Sequence, residues 1–112
     1  MKRDDSVYLQ HIRDAIARIE SYLADVREAD FYERAMVQDA VIRQLEIIGE
    51  AVRRLSDELQ NAHPHIPWQD IAGMRNKLIH DYFGVDLEKV WLTAKEDIPV
   101  LKAEVLKILQ EL

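Results

Sequence analysis

Apolar residues in this chain recur at intervals of three and four almost from end to end. Nowhere do they alternate with polar residues over a strand's length. Intervals of three and four return a side chain to the same face of an α-helix, whereas a half-buried strand needs an interval of two. The pattern admits helices and excludes a sheet. Tyr8, Ile12, Ala15, Ile16, Ile19, Leu23 and Val26 make one such stripe. They predict a helix from about Ser6 to Val26 with Ser6 or Asp5 as its cap. A second stripe runs from Leu87 nearly to the end through Val90, Trp91, Ala94, Ile98, Leu101, Val105, Ile108, Leu109 and Leu112. Pro99 interrupts it and predicts a kink or split near Asp97, since proline lacks an N–H and clashes with the carbonyl four residues back.

Between these stripes, Asp30 and Glu33 have the spacing of a capping box that opens a helix continuing to about Gln60. Such a helix is roughly 45 Å long at about 1.5 Å per residue. Its apolar residues form two bands. Val37, Val41, Ile48, Val52, Leu55 and Leu59 make one; Met36, Ala40, Ile47 and Ala51 make another, with Leu45 between. A helix in a small bundle needs one buried face, so two bands suggest packing on a second copy. The alternative is that the first and last helices bracket it. Gly49 within this helix costs about 1 kcal/mol against alanine, which close approach of another backbone would offset. Glu46 and Glu50 stand four apart, a repulsive spacing unless a cation such as Arg75 lies beside them.

The segment His63-Pro64-His65-Ile66-Pro67-Trp68 cannot be helix interior. Pro67 suits the first position of a new helix, and Gly84 suits its left-handed cap. Asp86 can cap the helix that follows, with Val85 and Val90 spaced as a hydrophobic staple. The fold expected is an all-α bundle of four or five helices in a single domain, residues 1–112.

Composition narrows the function. The chain has 112 residues, 48% hydrophobic and 32% charged, within the range of one globular domain. It has no cysteine, which removes disulfides and thiolate metal sites. His63 and His65 lack an evident third ligand, so neither a metal nor a cofactor is expected. No apolar run is long enough to span a membrane and no signal peptide is apparent, which makes the cytoplasm the default location. A formal charge of −6 argues against coating nucleic acid by bulk attraction, and DNA is not expected as a ligand. Positive charge is nevertheless clustered at Arg43, Arg53, Arg54, Arg75 and Lys77.

The chemistry concentrates in Met74 to Gly84, MRNKLIHDYFG. On a regular helix Ile71, Met74, Leu78 and Ile79 face the core, while Lys77 and Asp81 form a solvated i,i+4 pair. Asn76 and His80 share one border of that stripe, and Arg75 and Tyr82 share another. An imidazole can take a proton from a hydroxyl or give one to a leaving oxygen. A guanidinium can grip phosphate and stabilise the charge growing on it. Asn76 can hold the ring or the substrate. These are parts for metal-free RNA cleavage by the ribose 2′-hydroxyl. Arg75 and His80 point about 140° apart on one helix. A twofold axis would bring two such pairs around one cleft.

The run Arg75-x4-His80-x-Tyr82 resembles the R-x4-H-x-Y motif of the HepT toxins of the HEPN superfamily. The likeness extends over Asp39–Ser56, Ile66–Asp86 and the pair Val90-Trp91. Gln44 departs from it, standing where the family pattern has asparagine. The resemblance implies a HEPN-like homodimer with a composite cleft, and a metal-independent endoribonuclease whose catalytic pair is Arg75 and His80; their spacing adds Asn76 to the catalytic group and Glu46 and Glu50 as supporting residues. It also implies that Tyr82 accepts AMP from a cognate MntA-like minimal nucleotidyltransferase, the antitoxin of a toxin–antitoxin pair. A folded RNA, a tRNA first, is the implied substrate. The alternative is a non-catalytic helical dimer that serves as a binding or regulatory module for that nucleotidyltransferase.

Overall fold

The computed structural model describes the backbone of residues 3–79 and 85–112, with side chains over 4–74 and 85–112. Among these residues all regular structure is helical. The elements are α1 (Arg3–Leu23), α2 (Glu28–Phe31), α3 (Ala35–Arg53), α4 (Asp57–Ala62), α5 (Trp68–Ile79), α6 (Leu87–Leu92) and α7 (Ile98–Glu111), with a π turn (Thr93–Asp97) between the last two. Helix α3 is central. It packs against α1 on one side and α5 on another, and α1 also packs on α7.

The α1 stripe is buried as its spacing demands: Leu9, Ile12, Ala15, Ile16, Ile19 and Leu23 all enter the core. The helix stops at Leu23, earlier than the apolar pattern suggests, where Asp25 adopts a positive φ of 62°. A left-handed residue ends a helix by turning the next N–H back, and Val26 N–H bonds to the Leu23 carbonyl at 3.0 Å. At the other end, Asp5 is not a cap but lies inside the first turn. Its carboxylate accepts from the Ser56 N–H at 2.8 Å and the Ser56 hydroxyl at 2.6 Å, across 51 residues of sequence.

The expected long helix from Asp30 to Gln60 is three helices. Its roughly 45 Å would match the longest dimension of the molecule, 43 Å, and leave little chain to cover it. Arg27, in extended conformation, begins the single turn α2, and Asp30 accepts from the Arg27 N–H rather than starting the helix itself. The break after α2 goes with a wholly buried Phe31, whose ring lies 5.4 Å from that of Trp91. Gln38 Nε2 donates to the Phe31 carbonyl at 2.8 Å, satisfying a group that a continuous helix would have used. The second break comes at Ser56, an extended residue whose hydroxyl caps α4 by accepting from the Leu59 N–H. There the buried Asp5 binds Ser56, and Leu55 and Leu59 enter the core on either side.

The two bands of α3 are both real, but its own chain covers much of the second. Val41, Leu45, Ile48, Val52 and Ala51 are buried, Ala40 and Ile47 half-buried, and only Met36 stands fully out, at 87% exposure. Gly49 is buried, as a close helix contact would require. The helices that flank α3 are the first, α1, as the bracketing alternative had it, and α5 in place of the last.

The proline-bracketed turn separates two helices as expected, but Pro67 precedes α5 instead of filling its first position. Ile66 and Trp68 are buried, and the Trp68 indole donates to the His63 carbonyl at 3.0 Å. The Pro67 carbonyl accepts the first bond of α5, from Ile71. Asp86 caps α6 by accepting from the Lys89 N–H at 3.1 Å, and Val90 is buried with Val85 half-buried. Pro99 splits the C-terminal segment without breaking it. The wider π turn precedes it, giving room where an α-helix would drive the proline ring into the carbonyl of Lys95.

Candidate functional site

Helix α5 carries Arg75 and Asn76 on its backbone, in the turn after Ile71, Ala72 and Met74, which pack half-buried against the core. His80 and Tyr82 lie outside the described residues, as do the expected Gly84 cap and Asp81 of the Lys77–Asp81 pair. The described part of the candidate site is therefore the helix that presents Arg75 and Asn76, and the face of α3 that holds Glu46 and Glu50.

On α3, Arg43, Glu46 and Glu50 follow at intervals of three and four, and Arg54 ends the stripe at the helix C-cap. The side chain of Arg75, the cation expected beside the glutamates, lies outside the described residues; Arg43 and Arg54 approach them from this same stripe. Arg54 Nε donates to Glu50 Oε1 at 3.2 Å, while Arg43 stands 3.8 Å from Glu46, outside hydrogen-bonding distance. The side chain of Glu46 is only 22% exposed and that of Arg43 is 70% exposed. Such pairs on a helix surface contribute a few tenths of a kcal/mol at most, so their arrangement matters here more than their energy.

Helix α1 closes the other side. Tyr8 and His11 meet nearly perpendicularly, ring centres 6.2 Å apart, and with the α3 stripe they line a groove of about 270 Å³. The Tyr8 hydroxyl and Glu50 both lean on the Arg54 guanidinium, and in that order they hold its pKa above the ordinary arginine value. His11 is exposed, and the groove it lines was not legible in the sequence. Tyr8 had been assigned to the core stripe; it is half-buried, with one side toward the groove.

Gln44 sits one position inside this stripe, and 6% of it is exposed. Its Oε1 is buried with no hydrogen-bond partner among the described residues. A buried acceptor of this kind costs about 1–3 kcal/mol wherever it goes unpaired.

The turn before α5 supplies a contact that spacing did not reveal. His65 Nε2 lies 3.0 Å from Glu104 Oε2 on α7, and the His63 and His65 rings are 6.2 Å apart. The imidazole of His65 holds the Glu104 carboxyl below its ordinary pKa. Among the described residues no group of three or more such side chains is placed to hold a metal ion. No helix there is long and apolar enough to cross a membrane.

Fold and site together define an all-α bundle with a charged, aromatic-walled groove between α1 and α3. The model of the ribonuclease HepT-like family matches residues 12–108, and the chain belongs to that family. It is 50% identical over 112 residues to a Methanocaldococcus jannaschii protein named "Gamma-glutamylcyclotransferase and putative RNase", covering 100% of this chain and 50% of that one. It is 47% identical over 108 residues to "Probable ribonuclease HepT" of Thermococcus cleftensis, covering 96% of this chain and 98% of the relative. A "Putative RNase" of Caldanaerobacter subterraneus is 41% identical over 104 residues, 93% of each chain. The chain thus spans about half the length of the first relative and nearly all of the other two. No solved structure gives a significant match.

Proposed function

We propose that this chain is a metal-independent endoribonuclease, the toxin of a toxin–antitoxin pair, and that it acts as a homodimer. The observation that carries the reading is the Arg75-x4-His80-x-Tyr82 run, begun on α5, in a chain whose relatives are named as ribonucleases. The ribose 2′-oxygen attacks the adjacent phosphorus, and His80 takes the proton it loses. The bond from phosphorus to the 5′-oxygen breaks, and that oxygen leaves with a proton from an imidazolium. Arg75 offsets the charge that builds on the phosphoryl oxygens. Asn76 positions the ring or the phosphate. In a twofold assembly one His80 can act as base and its symmetry mate as acid, which overcomes the divergence of Arg75 and His80 on one helix. A tRNA is the first substrate to test.

Control falls on Tyr82. Transfer of AMP from ATP by an MntA-like nucleotidyltransferase forms a phosphodiester to the phenol and releases pyrophosphate. The added group brings bulk and negative charge beside Arg75 and His80, opposing an RNA backbone.

The test is cleavage of total RNA by unmodified protein with EDTA present, beside His80→Ala. Wild type should leave 2′,3′-cyclic phosphate or 3′-phosphate ends, and the variant should lose about 10²- to 10⁴-fold in rate. Equal cleavage by both would refute the assignment. Intact mass after incubation with the nucleotidyltransferase, ATP and magnesium should rise by whole AMP units, and Tyr82→Phe should abolish the rise.

A further inference from the structure

The groove between α1 and α3 holds a feature that phosphate binding does not explain. Among the described residues its two arginines stand beside two glutamates, whose charges cancel, and a chain of formal charge −6 adds no attraction of its own. A surface meant only to track an RNA backbone would not carry these carboxylates. Their environments differ. Glu50 is bonded to Arg54, which the Tyr8 hydroxyl also steadies. Glu46 is three-quarters covered yet, among the described residues, has no cation closer than 3.8 Å, and the Arg43 that approaches it is largely in solvent. Glu46 therefore offers a fixed acceptor in a groove with an aromatic wall, and Arg43 is free to swing outward.

An ionised carboxylate has two acceptor oxygens and no donor. Its best flat partner presents two N–H groups side by side. Of the four RNA bases only guanine does so on its Watson–Crick edge, at N1 and the exocyclic N2. Adenine and cytosine put an acceptor beside their amino group, and uracil puts its one N–H between two carbonyls. Single-stranded RNA is read in this way, by stacking on aromatic rings and by hydrogen bonds to exposed base edges. A volume of about 270 Å³ lies just under the range typical of drug-sized ligands, and suits one nucleoside rather than an oligomer.

We propose that the α1–α3 groove is a guanine subsite of the RNA-binding surface. Tyr8 and His11 form its stacking wall, Glu46 reads the N1–H and N2–H edge, and Arg43 meets a neighbouring phosphate. This deepens the ribonuclease reading and rests on it for its biological sense, but its ligand can be measured without any cleavage.

The experiment titrates the protein with GMP, AMP, CMP and UMP in turn by calorimetry. GMP should bind about tenfold or more tighter than the other three. Glu46→Gln, which replaces one acceptor oxygen by a donor at nearly constant shape, should remove that preference. Tyr8→Ala should weaken all four by about fivefold or more; Tyr8→Phe, which keeps the ring, should retain binding even if the alanine variant folds poorly. Four equal affinities, no detectable binding, or a preference that survives Glu46→Gln would each overturn the subsite. So would an effect of Glu46→Gln on the solution mass with nucleotide affinity unchanged, because the groove would then be a contact between chains. Guanine preference in protein that never cleaves RNA would uphold the subsite and sink the ribonuclease reading. His80-dependent cleavage with no guanine preference in binding would do the reverse.

Discussion

Removing the Asp5 carboxylate should be among the most damaging single changes available outside the apolar core. Asp5 is 1% exposed and accepts from both donors of Ser56, the N–H at 2.8 Å and the hydroxyl at 2.6 Å. Hydrogen bonds to a charged partner contribute about 1.5–3 kcal/mol each, and a buried donor left unpaired costs about 1–3 kcal/mol. In Asp5→Ala the Ser56 hydroxyl can still accept from the Leu59 N–H, as it does at 3.2 Å, but the Ser56 N–H has no replacement among the described residues. The net loss should be about 3 kcal/mol. For a domain of this size that corresponds to a fall in Tm of roughly 12 °C or more. Urea denaturation with unchanged slope would measure it directly. A double-mutant cycle with Ser56→Ala isolates the contact from the loss of the α4 cap, and should give a coupling of about 1–3 kcal/mol. A loss below 1 kcal/mol in Asp5→Ala, with no coupling, would mean that this junction of α1 with the α3–α4 turn is not what holds the two ends of the bundle together.

The Tyr32 hydroxyl donates to Glu28 at 2.6 Å, and that bond is the leading cause that pushes its pKa up to about 12. The bond is present below the ordinary tyrosine value near 10 and is lost as pH rises through the raised one; ultraviolet titration should show one late tyrosine, restored toward 10 in Glu28→Gln. Glu104 is shifted the other way by His65, so its contact with the α4–α5 turn is intact above the ordinary carboxyl value of 4.5 and is lost as pH falls through the lowered one. Carbon-detected NMR titration should find this carboxyl among the lowest, and His65→Ala should return it upward; no change would show that the contact does not persist in solution. Gln44→Met removes a buried acceptor that has no partner among the described residues, at similar volume, so thermal melting should show stability unchanged or raised by about 1 kcal/mol. A loss of more than 1 kcal/mol would show that the amide has a partner in solution.

Local rules and tertiary contacts divided the structure between them. The apolar intervals of Leu9 to Leu23 and of Ile98 to Ile108 name their own buried faces, because helix period and side-chain burial are both local consequences of residue order. Pro67 and Asp86 likewise mark helix starts by chemistry within a turn of themselves. The candidate residues Arg75, Asn76, His80 and Tyr82 were legible as a motif for the same reason. The breaks between α2, α3 and α4 were not, since each goes with a contact remote in sequence: Phe31 with Trp91, and Ser56 with Asp5. A run of good helix formers gives no sign that it should stop until the partner that rewards stopping is in place. The groove depended on tertiary structure in the same way. Tyr8 and His11 read as ordinary helix residues, and Glu46 and Glu50 as a repulsive pair, until the packing of α1 on α3 set them around one space with Arg43 and Arg54. His65 similarly meets its acid, Glu104, only because α7 packs beside the turn. Residue order determines which faces are apolar and where backbone donors run out; only the packed chain decides which polar side chains meet, because those meetings are set by the angle at which one helix crosses another.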